Sequence, residues 1–108
     1  MKIGIVLQSN KPEHVWNTFR FGIAALQAHH EVSIFLMNEG TESLDIPDTN
    51  VFDISRKITN YSRRQGKILA CGTCLELRGI KESGVCTVST MADLVKLVEI
   101  NERVLVFG

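Results

Sequence analysis

Lys67-Ile68-Leu69-Ala70-Cys71-Gly72-Thr73-Cys74-Leu75-Glu76-Leu77-Arg78-Gly79 reads as a strand that stops, a turn, and a short helix closed by glycine. Residues 67–70 form the apolar run. The helix occupies about residues 72–78 and stops at Gly79, a residue type that tolerates the left-handed conformation ending many helices. Two of the chain's three cysteines lie in this stretch. Strand followed directly by helix is the repeating unit of α/β folds, so the flanking sequence decides whether the unit recurs.

It recurs on both sides. Residues 2–7 are a short Ile- and Val-rich run ending in polar Gln8-Ser9-Asn10, the pattern of a buried strand. Asn10 fits an N-cap, with Glu13 as capping-box partner and Pro12 in the first turn. The helix it opens runs to about His29, with Trp16, Phe19, Ile23 and Leu26 on one face. His29 and His30 close it, where positive charge suits the C-terminus. Glu31–Met37 is a second strand, with Val32, Ile34, Phe35 and Leu36 giving it buried character. Residues 38–50 turn to Gly, Pro, Ser, Thr, Asn and acids, as expected of an irregular loop or lid.

A sparse stripe of Phe52, Ile54, Ile58 and Tyr61 marks a helix that Gln65-Gly66 stops. Its outer face carries Arg56, Lys57, Arg63 and Arg64, with Lys67 beyond: a solvated face, or a docking patch for an acidic partner. Val85-Cys86-Thr87-Val88 is a fourth strand, and Cys86 there reads as a small core residue. Thr90 and Asp93 form a second capping box, opening a helix with Met91, Leu94, Val95 and Val98 on one face. Arg103–Phe107 is the last strand. The strict β-α alternation predicts an α/β fold of three layers, α/β/α, with a mainly parallel five-stranded sheet and helices on both faces.

Bulk properties narrow the function classes. At 108 residues the chain is expected to be a single domain, residues 1–108, able to bury a core without disulfides or metal. The 12 basic residues balance 12 acidic ones, which gives no global attraction to nucleic acid or to an anionic membrane. Weak charge repulsion also favours self-association. The apolar N-terminal run is too short for an export signal or a membrane span, so a cytoplasmic location is expected, with reduced thiols. Three cysteines cannot all pair, which argues against a disulfide framework. A structural zinc site needs a second ligand pair, and only Cys86 and three scattered histidines remain. Neither metal nor cofactor is expected.

Chemistry is expected at Cys71. In an open parallel sheet, reactive groups collect at the carboxyl ends of strands. A cysteine at such an end and at a helix start is expected to have a pKa below the usual ~8.5, because free N–H groups favour the thiolate. Gly72 is expected to leave the approach to the sulfur open, and Thr73 sits beside it. Arg78, two helical turns on, assists only if the short helix brings its guanidinium round. Gln8-Ser9-Asn10 and Asn38-Glu39-Gly40 are the other strand ends expected at this edge, with Asn38 and Glu39 as supporting groups. His14 is the nearest candidate histidine for a base.

Three stretches carry a family resemblance: Ile3–Leu7 with Trp16–Ala24 behind it, Glu31–Gly40, and Ala70–Ile80. Together they resemble the DsrE/DsrF-like family, which includes the TusD-type sulfur-relay subunits, and they follow the family's order over most of the chain. The resemblance implies a small, flavodoxin-like DsrE-type domain assembling into trimers or hexamers, as a homo-oligomer or with related subunits. It also implies sulfur carried as a persulfide between a protein donor and a protein acceptor. Matched on the Arg78-Gly79 end, Cys71 falls on the carrier position. Several relay members have one cysteine here, whereas this chain adds Cys74, which can resolve a persulfide or simply pack.

Three functions therefore compete: persulfide transfer on Cys71, a thiol–disulfide switch using Cys71 and Cys74, and a non-catalytic oligomeric subunit. The switch has suitable mechanics at a helix start, but no Trp precedes the motif as in thioredoxin-like domains.

Overall fold

A computed structural model describes residues 1–108. Five strands alternate with four α-helices: β1 (Lys2–Leu7), α1 (Pro12–Gln27), β2 (Glu31–Leu36), α2 (Ile54–Arg63), β3 (Lys67–Cys71), α3 (Gly72–Leu77), β4 (Thr87–Ser89), α4 (Met91–Ile100) and β5 (Arg103–Phe107). All neighbouring strands pair in parallel, in the order β4-β3-β2-β1-β5. The chain thus steps outward from β1 to β4, then returns to the far side of β1 for β5. This is the α/β fold with a parallel five-stranded sheet that the alternation predicts.

Strand side chains alternate between two faces, and the two faces are packed very differently. Ile3, Ile5, Leu7, Val32, Ile34, Leu36, Ile68 and Ala70 meet Val15, Phe19 and Ile23 of α1 and Ile54, Ile58 and Tyr61 of α2 in the main core. Tyr61 is fully buried, and its hydroxyl lies within hydrogen-bond distance of the Lys67 carbonyl (2.8 Å) and the Val32 carbonyl (3.2 Å). That polar tip ties α2 to the β2–β3 pair while the ring fills the core. On the opposite face a smaller cluster gathers Phe35, Cys71 and Leu97, bordered by Met37, Leu69, Cys74, Leu94 and Val104.

α4 is the main helical cover of that second face, and it leaves apolar surface in solvent. Its Thr90–Asp93 capping box forms as expected. The Met91-Leu94-Val95-Val98 stripe, however, is not the buried one. Leu97 is buried and Leu94 half-buried, whereas Met91, Val95 and Val98 are exposed, as is Val106 of β5 at 62%. The helix is apolar on more than one side, so periodicity alone could not say which side meets the sheet.

Other local expectations are also corrected. Asn10 does not cap α1: Lys11 is the N-cap, without a side-chain cap, and the Asn10 amide instead donates to Glu42 Oε1 at 3.3 Å. Ser9 Oγ takes the Lys11 N–H. His29 adopts left-handed backbone just past the end of α1 at Gln27; α2 does stop at Gln65-Gly66, with Gln65 in left-handed backbone and the Gly66 N–H donating to the Tyr61 carbonyl. Strand β4 begins at Thr87, leaving Val85 and Cys86 before it. The expected loop opens instead with a 3₁₀ helix, Asn38–Asp45. Thr41 Oγ1 and Ser43 Oγ donate to the backbone carbonyls of Asn38 and Gly40, so small polar side chains that suggest a loop here hold a tight turn.

Candidate thiol site

The carboxyl ends of β1, β2, β3 and β5 are joined by hydrogen bonds at one edge of the sheet. Gln8 Nε2 donates to the Gly108 carbonyl at 2.8 Å, and Asn38 Nδ2 donates to Gln8 Oε1 at 3.2 Å. The Asn38 backbone N–H then donates to Cys74 Sγ at 3.3 Å. Asn38 can aim that N–H because it sits in left-handed backbone, φ 52°, which Asn tolerates better than most residues. Gly40 completes the junction: a Cβ there would collide with the Leu7 carbonyl, so the 3₁₀ helix lies directly on the end of β1.

The two cysteines occupy unlike positions. Cys71 ends β3 and is only 5% exposed, within the Phe35–Leu97 cluster. It is the N-cap of α3 but makes no side-chain cap hydrogen bond. The expected donation from helix N–H groups to the Cys71 sulfur is therefore not seen; the one N–H that reaches a sulfur comes from Asn38, to Cys74. Cys74 is half-buried, against Cys71. Its thiol pKa is pushed up, first by burial and then by the neighbouring Cys71 thiol; the Asn38 N–H and the Arg78 charge oppose this and lose. All three cysteines are free.

The supporting residues divide. Gly72 does not open a path to sulfur. A Cβ there would sit 3.1 Å from Val88 Cγ1 and 3.4 Å from the Ser89 carbonyl, so the glycine lets α3 start close against β4. Thr73 is exposed. Arg78 turns back along its helix, donating to the Cys74 carbonyl at 3.3 Å and pairing with Glu42 at 3.0 Å. Its guanidinium thus holds α3 to the 3₁₀ helix. Glu39, expected as support, is exposed and makes no hydrogen bond; Glu42, one turn on, takes that place. The composition of residues 38–50 points to an irregular loop, whereas 3₁₀ spacing is what presents Glu42 to Arg78 and Asn10.

His14 bonds Ser9 Oγ at 2.8 Å and no cysteine. Cys86 packs at the margin of the main core, 3.9 Å from Ser83 Oγ. On the basic face of α2, Lys57 pairs with Asp53, while Arg56 and Arg63 line a polar groove with Ser55, Thr59 and Asn60. No group of three or more His, Cys, Asp or Glu side chains is placed to hold a metal ion, and no helix is long and apolar enough to cross a membrane.

Among known proteins, the chain is 27% identical over 100 residues to the uncharacterized protein MJ0989 of Methanocaldococcus jannaschii, covering 88% of each. Its fold is similar to the crystal structure of the YchN protein from E. coli, with a TM-score of 0.88, 21% identity and 99% of both chains covered. It is also similar to the conserved protein of unknown function BT1422 from Bacteroides thetaiotaomicron, with a TM-score of 0.77, 18% identity, and 97% and 93% of the two chains covered. Residues 1–107 match the DsrE/DsrF-like family, and the chain belongs to that family.

Proposed function

We propose that this chain carries sulfur as a persulfide on Cys71 and passes it to a protein partner, with Cys74 as the companion thiol. The observation that carries this reading is the pair itself: two free thiols packed against each other at the carboxyl edge of the sheet. A carrier must hold a reactive sulfur away from water and stray thiols. The apolar Phe35–Leu97 cluster around Cys71 suits that task. Family membership supports the same chemistry. In the loading step a thiolate attacks the terminal sulfur of a donor persulfide. The S–S bond of the donor breaks, its thiol leaves with the proton, and no net oxidation occurs. Neither metal nor cofactor is required.

The apolar surface of α4 and β5 supports assembly. Met91, Val95, Val98 and Val106 are exposed large apolar side chains on the second face, which a second subunit would cover. The proposed protein is therefore a cytoplasmic oligomer of related subunits that works between a protein donor and a protein acceptor. Contact between Cys71 and Cys74 also favours a second reading, in which Cys71 attacks and Cys74 resolves, so that the pair cycles between dithiol and disulfide. The readings separate by mass spectrometry after incubation with a persulfide donor: a carrier gains one sulfur, whereas a switch loses two hydrogens. Neither change in the folded protein would overturn both.

A further inference from the structure

We propose that sulfur enters through Cys74 and is handed inward to Cys71. This rests on the sulfur-carrying reading and assigns the two thiols an order. A donor persulfide must reach the acceptor sulfur along the axis of the bond being broken, so one face of that sulfur must be open. Cys71, 5% exposed among Phe35, Leu97 and their neighbours, has no such face in the folded chain. Cys74 lies one helical turn outward and is half-exposed.

Two independent features mark Cys74 as the landing point. The Asn38 N–H rests on its sulfur at 3.3 Å, a fixed donor that stabilises negative charge there as the thiol ionises. Leu77, one turn further along the same helix, is the most exposed large apolar side chain of the chain, at 79%. A protein donor therefore meets an apolar contact beside the receiving sulfur, which favours a protein persulfide over a small hydrophilic one.

The hand-over balances without an outside reagent. Cys74 thiolate attacks the terminal sulfur of the donor R–S–SH, forming Cys74–S–SH and releasing R–SH. Cys71 thiolate then attacks the terminal sulfur of Cys74–S–SH, forming Cys71–S–SH, and the Cys74 sulfur leaves and recovers the proton. Each step breaks one S–S bond and forms one, so the sulfur oxidation states are only exchanged. The product is the persulfide in the drier position, with Cys74 again a thiol above it.

The test uses the full chain with glutathione persulfide as probe, quenched at intervals by alkylation and read by peptide mass spectrometry. Cys71→Ser is expected to accumulate sulfur on Cys74, and Cys74→Ser to load Cys71 at least about tenfold more slowly than the unchanged protein. Cys71→Ala serves as a second variant should serine disturb the apolar cluster, with thermal melting as the check on folding. Loading of Cys71 at the unchanged rate in Cys74→Ser would overturn the entry order, as would absence of sulfur on Cys74 in both Cys71 variants. Failure of the unchanged protein to take sulfur at either cysteine, from glutathione persulfide and from a persulfide-loaded protein alike, would instead remove the carrier function. Entry order is then read separately from iodoacetamide rates in the folded protein: Cys74 faster than Cys71 supports it, and equal or reversed rates overturn it.

Discussion

The backbone N–H of Asn38 donates to the sulfur of Cys74 across 36 positions of sequence, at 3.3 Å. The contact joins the end of β2 to the first helical turn after β3, and it depends on the left-handed backbone at Asn38 rather than on its side chain. Substitutions at Asn38 should therefore act through backbone preference. Asn38→Gly keeps the left-handed region accessible and should leave the reactivity of Cys74 within about twofold. Asn38→Val, strained there by a β-branched side chain at a cost of roughly 1–2 kcal/mol, should lower both stability and the alkylation rate of Cys74. Maleimide kinetics combined with denaturant unfolding would check this; equal rates for the two variants would contradict it.

The pH dependence of Cys74 follows from its surroundings. Burial and the Cys71 thiol raise its pKa above that of an ordinary cysteine, while the Asn38 N–H and Arg78 pull the other way. A raised thiol pKa means less thiolate at neutral pH, so the alkylation rate at Cys74 should still climb at pH values where an ordinary cysteine has levelled off. Removing Cys71 takes away one raising influence, and Cys71→Ser should shift the Cys74 profile toward lower pH. A profile that stays in place would show that the two thiols are not coupled.

Gly40 and Arg78 both fasten the site, with unequal consequences. A methyl group at Gly40 would meet the Leu7 carbonyl, part of a buried strand end that cannot yield cheaply. Gly40→Ala should cost about 1–3 kcal/mol in urea unfolding. The Arg78–Glu42 pair is partly exposed, with side-chain exposures of 28% and 38%, so Arg78→Met should cost less than about 1 kcal/mol. Equal losses would mean that the ion pair, rather than the close backbone contact, seats the 3₁₀ helix.

The outward side of α4 predicts an oligomer. Val95→Glu combined with Val98→Lys places charges on the exposed apolar stripe without touching buried Leu97. Sedimentation should then give the single-chain mass for the variant and a multiple of it for the unchanged protein. Identical masses with retained folding would remove α4 as the interface.

The fold was legible in the sequence because strand–helix alternation is a short-range signal. Ile3–Leu7, Val32–Leu36 and Lys67–Ala70 each show a buried run ending in turn residues, and the Thr90–Asp93 box announces α4. The site was legible in part. Asn38 does reach the cysteine turn at the carboxyl edge of the sheet, but through Cys74 and not Cys71. What spacing could not reveal was accessibility. Whether Cys71 or Cys74 faces solvent depends on α4 lying over the end of β3, and on which side of an apolar α4 turns inward. Glu42 was hidden for a related reason, since its partners Asn10 and Arg78 come from distant parts of the chain.

The most direct test of the central claim is the mass of the folded protein after exposure to a protein persulfide donor, followed by peptide mapping. The account predicts a gain of one sulfur on the peptide that holds Cys71 and Cys74, reversed by dithiothreitol and absent from the Cys71→Ser/Cys74→Ser double variant. Cysteines that remain open to alkylation but gain no sulfur would contradict it.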